Sequence, residues 1–226
     1  MKKHIILLAG ILTIISFSGM VSNPKGGKPF EGTIKYSITV EGASLSEAEK
    51  AQYPSESVIT IKGNKTKTEE KTLYYSRMTI ADSETQSIIL LFNMETAGIK
   101  KFVKFSKEYL EKQFANLPTY DIKEVNETKK IAGYTCKKAE ITDEEGNVIV
   151  TYYCDELNVK NHNWENPQMK NIKGMPLEFS QPTGNTTMKF IAKEIKKSKV
   201  KDKEFEIPEG YTEMTEEEAT QMFGGF

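Results

Sequence analysis

The sequence predicts a mainly β domain with little helix, arranged as an antiparallel sheet, a sandwich or an incomplete barrel. Three observations predict this class. Apolar and polar residues alternate with a period of two in several short segments, which is the pattern of half-buried strands. Turn signals such as Gly63 and Asn64 separate these segments, and apolar residues at helical spacing occur only in short stretches.

The N-terminus has the layout of a secretory signal peptide. It reads MKKHIILLAGILTIISFSG, with a basic start, an apolar run and then small residues. The apolar run is shorter than the roughly 20 residues that span a bilayer, although an uncleaved anchor is the alternative. We expect cleavage after Ser18 or after Ser22. Because no cysteine lies near these positions to carry a lipid, we expect a soluble mature protein in the periplasm or another extracytoplasmic compartment.

The predicted organisation has four parts. Residues 1–22 are the signal peptide, and residues 23–29 form a flexible linker with two glycines and two prolines. Residues 30–214 form a single β-rich domain, of a length that is usual for one folding unit. Residues 215–226 form a short C-terminal helix and a frayed tail.

The first half of the domain predicts five strands. Residues 30–42 alternate strictly, and residues 57–62 resume the pattern before the turn at Gly63. Residues 65–72 are the return strand of this hairpin, and their polarity predicts an edge or solvent-facing position. Residues 87–94 form a continuous apolar run, as in a strand covered on both faces, and residues 99–105 pair with it.

Three short helices interrupt the strands. Residues 44–52 are mostly polar and end before Pro54. Residues 107–114 carry apolar residues at helical spacing, although a strand end is the alternative. Thr215 and Glu218 form a capping box that begins a terminal helix.

The second half predicts a hairpin of residues 134–142 and 148–154, with the turn at residues 143–147. Further segments with strand patterns then complete the sheet. These closing strands are residues 177–180, 187–193 and 195–201.

Two cysteines, Cys136 and Cys154, lie on the two strands of the predicted hairpin. A three-residue loop with Gly146 in the left-handed conformation places Cys136 directly opposite Cys154. Facing residues of antiparallel strands have Cα atoms about 4.5–5.5 Å apart, which is within the range of a disulfide. We therefore expect a structural disulfide in an oxidising compartment, with two buried free thiols as the alternative.

The charge composition argues against a nucleic-acid partner. The chain has 31 basic and 32 acidic residues, and Arg77 is its only arginine. Nucleic-acid-binding proteins usually use arginine to contact bases and phosphates. A near-neutral chain with one arginine is therefore expected to bind something else.

Few of the usual catalytic signatures are present. His4 leaves with the signal peptide, so His162 is the only histidine of the mature chain. No nucleophile elbow, P-loop or dinucleotide fingerprint occurs. A two-carboxylate glycosidase site remains open, because acidic residues are abundant and no pair stands out. From these signals we expect no enzymatic activity, no catalytic residue, no metal and no cofactor.

Large apolar residues concentrate between positions 87 and 105. Such residues usually form an ordinary packed core. The alternative is that some of them line a cavity for an apolar ligand, as in partly filled barrels. By size and alternation, the candidates for such a lining are Leu90, Phe92, Phe102 and Phe105.

Three phrases of the second half occur in a recognisable order: ETKKIAGYTCKKA at residues 127–139, KGMPLEF at 173–179 and FEIPEGYTEM at 205–214. Together they resemble domain of unknown function 4412, a family of bacterial envelope proteins of the Bacteroidota type. The resemblance extends over residues 30–214. It implies the fold of periplasmic lipoprotein carriers, a curved antiparallel sheet or half-barrel with a few short helices over an apolar cavity. No catalytic residues are carried over from this family.

These expectations combine into one functional hypothesis with one alternative. The hypothesis is a non-enzymatic exported periplasmic protein that binds an apolar ligand in the cavity of a half-barrel. Its partner is then a lipid, an acyl chain or a lipoprotein segment. The alternative is a cell-envelope module for protein interaction or structure, with no small-molecule ligand.

Overall fold

The computed structural model describes residues 28–42, 45–115, 117–159, 162–166, 168–183 and 186–223. The predicted signal peptide, its cleavage positions and most of the predicted linker lie outside the described residues, as does the predicted frayed tail. In the part of the chain that the structure describes, none of the helices is long and apolar enough to cross a bilayer.

Within the described residues, one curved sheet of twelve strands forms the fold, in the order β12-β6-β5-β4-β3-β2-β1-β11-β10-β9-β8-β7. Neighbouring strands are antiparallel, except that β12 runs parallel to β6. This arrangement confirms the predicted mainly β class with a curved antiparallel sheet and a few short helices. The strands are β1 (Glu31–Gly42), β2 (Glu56–Lys62), β3 (Lys65–Lys71), β4 (Ser76–Asp82), β5 (Ser87–Met94), β6 (Ile99–Phe105), β7 (Asp121–Ile131), β8 (Tyr134–Thr142), β9 (Val148–Cys154), β10 (Met175–Thr183), β11 (Thr186–Lys197) and β12 (Thr212–Glu213).

Three α-helices accompany the sheet in the part of the chain that the structure describes: α1 (Glu47–Lys50), α2 (Lys107–Phe114) and α3 (Glu216–Phe223). All three predicted helical stretches therefore contain a helix. At α3 the Thr215 hydroxyl accepts from the Glu218 amide at 3.1 Å, and the Glu218 carboxylate accepts from the Thr215 amide at 2.7 Å. These two bonds confirm the predicted capping box, which satisfies amide groups that have no partner within the helix.

Strand β5 is covered on both faces, as its continuous apolar run predicts. On the face that we call the inner face, Ile88 packs with Leu110 of α2 and Ala219 of α3. On the opposite, outer face, Leu91 packs with Val200 and Phe205 from the segment that follows β11. Side chains of both parities are therefore buried, and the polar alternation of a one-sided strand is absent.

Strand β11 is one continuous strand, where the sequence predicts two at residues 187–193 and 195–201. The register to β1 pairs Lys35 with Glu194 and Tyr36 with Ala192, so Lys193 is an extra residue. This β-bulge shifts the apolar alternation by one position within a single strand. The pattern therefore breaks although the strand continues.

Strand β3 lies inside the sheet, so its predicted edge position is wrong. It pairs with β2 on one side and with β4 on the other. Its one buried lysine has acidic partners: the ammonium of Lys67 lies 3.0 Å from the more exposed Glu204 and 3.2 Å from the more exposed Glu69. Because opposite charges compensate each other here, a polar strand occupies an interior position. The sequence patterns also miss β4, β7 and the two-residue strand β12.

The hairpin of β8 and β9 has the predicted register. Gly146 adopts the left-handed conformation with φ 86°, and Thr142 pairs with Val148. The same register continues to Lys137 and Tyr153, one residue before the two cysteines. Cys136 and Cys154 are both buried in the core, and their sulfur atoms are not joined. The disulfide therefore stays a prediction.

Candidate ligand-binding groove

The inner face of the sheet encloses a groove with a volume of about 610 Å³. Seven neighbouring strands, from β10 through β11 and β1 to β5, contribute to its surface. A single cavity that extends over one face of seven strands requires that face to be concave. Side chains from α2 and from the segment before β10 form the opposite rim.

One part of the groove, which we call the polar floor, lies on β2, β3 and β4. The register places Ser57 beside Glu70 and Glu70 beside Arg77, so these three side chains form one row across the sheet. Thr68 and Thr79 are partners in a parallel row two residues away. Side chains two residues apart on a strand point to the same face, and all five line the groove.

Glu70 and Arg77 form an ion pair at the centre of the polar floor. The Nε of Arg77 donates to Oε2 of Glu70 at 3.1 Å, and its Nη2 donates to the same oxygen. Glu70 is 8% exposed, whereas the Arg77 side chain is 46% exposed. The pair therefore presents a positioned guanidinium, with further N–H donors, to the groove.

A second part, which we call the apolar wall, consists of Tyr36, Phe179 and Phe190 on β1, β10 and β11. The rings of Phe179 and Phe190 stack with centroids 4.6 Å apart, and Tyr36 meets Phe179 edge-on at 5.9 Å. The Tyr36 hydroxyl donates to the carbonyl of Pro176 at 2.8 Å. Burial raises the pKa of Tyr36 well above its usual value, so this hydroxyl stays protonated as a donor.

The rim opposite the sheet combines apolar and amide side chains. Phe114 and Leu117 extend from the end of α2, and Asn166 and Gln168 come from the segment before β10. The side-chain amide nitrogen of Asn163 donates to the carbonyls of Ile172 and Gly174 at 3.1 and 3.0 Å, and these bonds hold the two ends of this segment together. The rim therefore adds amide donors and acceptors close to apolar surface.

The four predicted cavity residues lie in four different environments. Leu90 lines the groove, and Phe92 stacks on Tyr75 with centroids 5.2 Å apart. Phe105 is buried beneath α2 and α3, whereas Phe102 is buried on the outer face with Phe205. The predicted set is split because β6 alternates between the two faces, and both faces are covered. A role of these residues in holding an apolar ligand stays a prediction.

The polar floor is the part of the groove that sequence patterns do not reveal. Its residues lie on three strands, one of which, β4, has no clear pattern of its own. One signal was available, because Arg77 is the only arginine in a chain that otherwise uses lysine. Within the described residues, no group of three or more acidic, histidine or cysteine side chains could hold a metal ion. The side chain of His162 lies outside the described residues.

A family of known proteins matches most of this fold. The N-terminal domain of the N-glycanase peptide family matches residues 34–218, which include the whole polar floor and apolar wall. The chain belongs to this family. No curated protein matches the chain.

Solved structures of PNGF-II share the fold. In the P21 crystal form the chain superposes with a TM-score of 0.51 at 16% sequence identity, over 86% of this chain and 33% of that one. In the C2 crystal form the TM-score is 0.50 at 18% sequence identity, over 84% of this chain and 32% of that one. The chain therefore spans about a third of the length of the PNGF-II structures. The lipoprotein LppX of Mycobacterium tuberculosis gives a TM-score of 0.30 at 8% identity, over 76% of this chain and 89% of LppX.

The family corrects one expectation and leaves another open. The expectation of no enzymatic activity is wrong, because membership of an N-glycanase family relates the chain to glycosidases. That expectation rested on missing nucleophile motifs and on the lack of a distinctive carboxylate pair, although the sequence leaves a two-carboxylate glycosidase site open. The resemblance to domain of unknown function 4412 is not tested by this match and stays a prediction.

Proposed function

We propose that this chain is an exported, extracytoplasmic domain that binds the glycan-bearing segment of a glycoprotein for an N-glycanase. The groove carries this proposal, because it combines an apolar wall with a polar floor. Sugars present hydroxyl groups at their edges and C–H groups on their faces. A guanidinium beside a carboxylate can donate to and accept from hydroxyls, and aromatic rings can cover the C–H faces.

The size of the groove also fits this ligand class. A volume of about 610 Å³ lies within the range of small-molecule sites, which is roughly 300–1,000 Å³. Such sites are mostly apolar with a few positioned polar groups that fix the ligand orientation. In this groove the Glu70–Arg77 pair and the amides of Asn166 and Gln168 would provide the orientation.

The test is a calorimetric titration of the chain with an N-linked glycopeptide and with the same peptide lacking the glycan. We expect the glycopeptide to bind at least about tenfold more tightly, and Arg77→Gln to remove this difference. Lys123→Gln, on the exposed strand β7, is the matched control and should bind as the wild type does. Equal binding of the two peptides would contradict the proposal. Mass spectrometry of the recovered glycopeptide measures any release of the glycan.

A second candidate is an apolar ligand such as an acyl chain, a lipid or a lipoprotein segment. It is favoured by the apolar side chains that line the groove on the sheet beside the polar floor and on the rim. Each buried methylene would contribute about 0.8 kcal/mol. The groove residues that would contact such a chain are Leu90, Phe114, Leu117, Met169, Phe179 and Phe190.

A fluorescent fatty acid distinguishes this second candidate from the first. If the groove binds acyl chains, the probe binds saturably, Leu90→Asp abolishes binding, and the glycopeptide does not displace it. If the wild-type chain does not bind the fluorescent fatty acid, the second candidate is contradicted. If neither ligand binds, the remaining function is that of a cell-envelope module for protein interaction or structure.

A further inference from the structure

Strands β9 and β10 are neighbours in the sheet, but they separate along part of their length. Within the described residues, their register joins Met175 to Cys154, Pro176 to Tyr153 and Glu178 to Tyr152, and it extends no further. Beyond Tyr152 the two strands border a cavity of about 380 Å³. We call this opening the β9–β10 cleft. It lies between residues 148–150 and 178–182.

The backbone of β9 directs hydrogen-bonding groups into this cleft. At the hairpin loop the amide of Asp143 donates to the carbonyl of Asn147 at 3.1 Å. Residues of an antiparallel pair alternate between facing each other and facing away. Counting from Asn147, the N–H and C=O groups of Val148 and Val150 therefore point away from β8. Tyr152, the next residue in this series, pairs with β10, which agrees with the count.

The facing edge of β10 is less suited to pairing. Glu178, Ser180 and Pro182 form the series that points toward β9, and Pro182 has no N–H group. The hydroxyl of Thr151 donates to the carbonyl of Glu178 at 3.1 Å and closes the narrow end of the cleft. The edge of β9 is therefore the one that offers both donors and acceptors at successive outward positions.

The side chains at the cleft leave the edge of β9 unprotected. Val148 is 56% exposed and Val150 is 39% exposed. Natural sheets usually block free edges with proline, charge or a covering segment. Pro182 blocks the edge of β10, whereas β9 presents two exposed valines whose backbone N–H and C=O groups point into the cleft. Lys189 and Thr187 of β11 complete the lining.

We propose that the β9–β10 cleft binds an extended polypeptide segment, which adds to the free edge of β9 as an antiparallel strand. Only a polypeptide supplies alternating N–H and C=O groups at strand spacing, so neither a sugar nor an acyl chain matches this edge. Val148 and Val150 can both form backbone hydrogen bonds with a bound strand, and a strand that pairs with both is about four or five residues long. Its alternate side chains would be apolar where they face Val148 and Val150. This inference is independent of the function proposed for the groove.

The test uses a fluorescein-labelled peptide of seven residues with alternating threonine and valine, blocked at both ends. Fluorescence anisotropy of the full chain should show saturable binding. A blocked peptide of seven prolines has no N–H donor on either edge, and it should not bind. Hydrogen exchange of the unlabelled complex should show protection of the Val148 and Val150 amides. Absence of peptide binding, or binding without protection of these amides, would overturn the proposal.

Substitution with proline tests the edge directly. Val150→Pro removes one N–H that faces the cleft and leaves the hydrogen bonds to β8 in place. We expect the affinity for the peptide to fall at least about tenfold. Lys130→Pro makes the same change on β7, at the edge of the sheet. Ile131 pairs with Tyr134 at the β7–β8 hairpin, so the N–H of the preceding residue, Lys130, points away from β8. Lys130→Pro should change the affinity less than about twofold. Thermal melting checks that both variants fold, and equal affinity of Val150→Pro and wild type would contradict the assignment.

Discussion

The polar floor and the apolar wall face the same groove but are held in place by different forces. The rings of Phe179 and Phe190 stack, Tyr36 meets Phe179 edge-on, and all three rings contact the main core of the sheet. Glu70 and Arg77 are held by the pairing of β3 with β4 and by their mutual charge. The wall therefore belongs to the folding core, whereas the floor is a polar site that a core does not require.

The difference separates residues that determine shape from residues that determine specificity. A buried aromatic side chain stabilises mainly through the area it removes from water. A buried ion pair contributes little net stability but is costly to break, because one charge is left without a partner. Substitutions in the wall should therefore change stability first, and substitutions in the floor should change binding first.

The largest effect is expected from Phe190→Ala in the apolar wall. Phe190 is 5% exposed and loses its stacking with Phe179, so a cavity remains in the core. The free energy of unfolding should fall by about 3–5 kcal/mol, measured by urea denaturation as a lower midpoint with an unchanged slope. Leu73→Ala, at a residue that is 80% exposed, should change it by less than about 0.5 kcal/mol. If Phe190→Ala and Leu73→Ala lower the free energy of unfolding equally, the apolar wall is not part of the folding core.

A smaller loss is expected from Arg77→Ala in the polar floor. The Glu70 carboxylate would stay buried without its guanidinium, which should cost about 1–3 kcal/mol in the free energy of unfolding. Arg77→Lys keeps the charge without the planar pair of donors and should recover part of this loss. Chemical denaturation of the three proteins provides the comparison. If Arg77→Ala is as stable as the wild type, the pair contributes to binding alone.

The predicted disulfide should raise the free energy of unfolding by an amount comparable to the loss expected from Arg77→Ala. Linking Cys136 to Cys154 closes a short loop, so the expected contribution is about 2 kcal/mol, at the low end of the usual range. Peptide mapping without reductant should find the two residues linked, and reduction should lower the melting temperature without unfolding the chain. Complete alkylation of both thiols in unreduced native protein would show that the bond does not form.

The smallest expected effect appears only at alkaline pH. Burial, aided by the nearby Cys154, raises the pKa of the Cys136 thiol from 9.0 to about 12. The unfolded chain therefore loses this proton at a lower pH than the folded chain does, so the stability present below pH 9 declines as the pH rises toward 12. The reduced protein should lose more stability than the oxidised one between pH 7 and pH 10. Parallel loss in both forms would mean that other groups dominate, such as Tyr153, whose pKa burial also raises to about 12.

Much of the local structure follows from the sequence alone. Gly146 specifies the turn and hence the register of β8 and β9, and Thr215 with Glu218 specifies the start of α3. Both signals act within a few residues, so no distant contact is needed to interpret them. The mainly β class follows in the same way from alternation along single strands.

The groove and the cleft depend on pairings between distant parts of the chain. Ser57, Glu70 and Arg77 form a row only because β2, β3 and β4 pair in one register, and β11 joins β1 across more than half of the sequence. A strand pattern reveals which side chains share a face, but not which strand lies beside it or whether two neighbours stay paired to their ends. The sequence therefore determined the class, the turns and the caps. The tertiary structure alone decided that Leu90 and Arg77 share a cavity while Phe102 lies on the other face, because strand order is set by packing of the whole sheet.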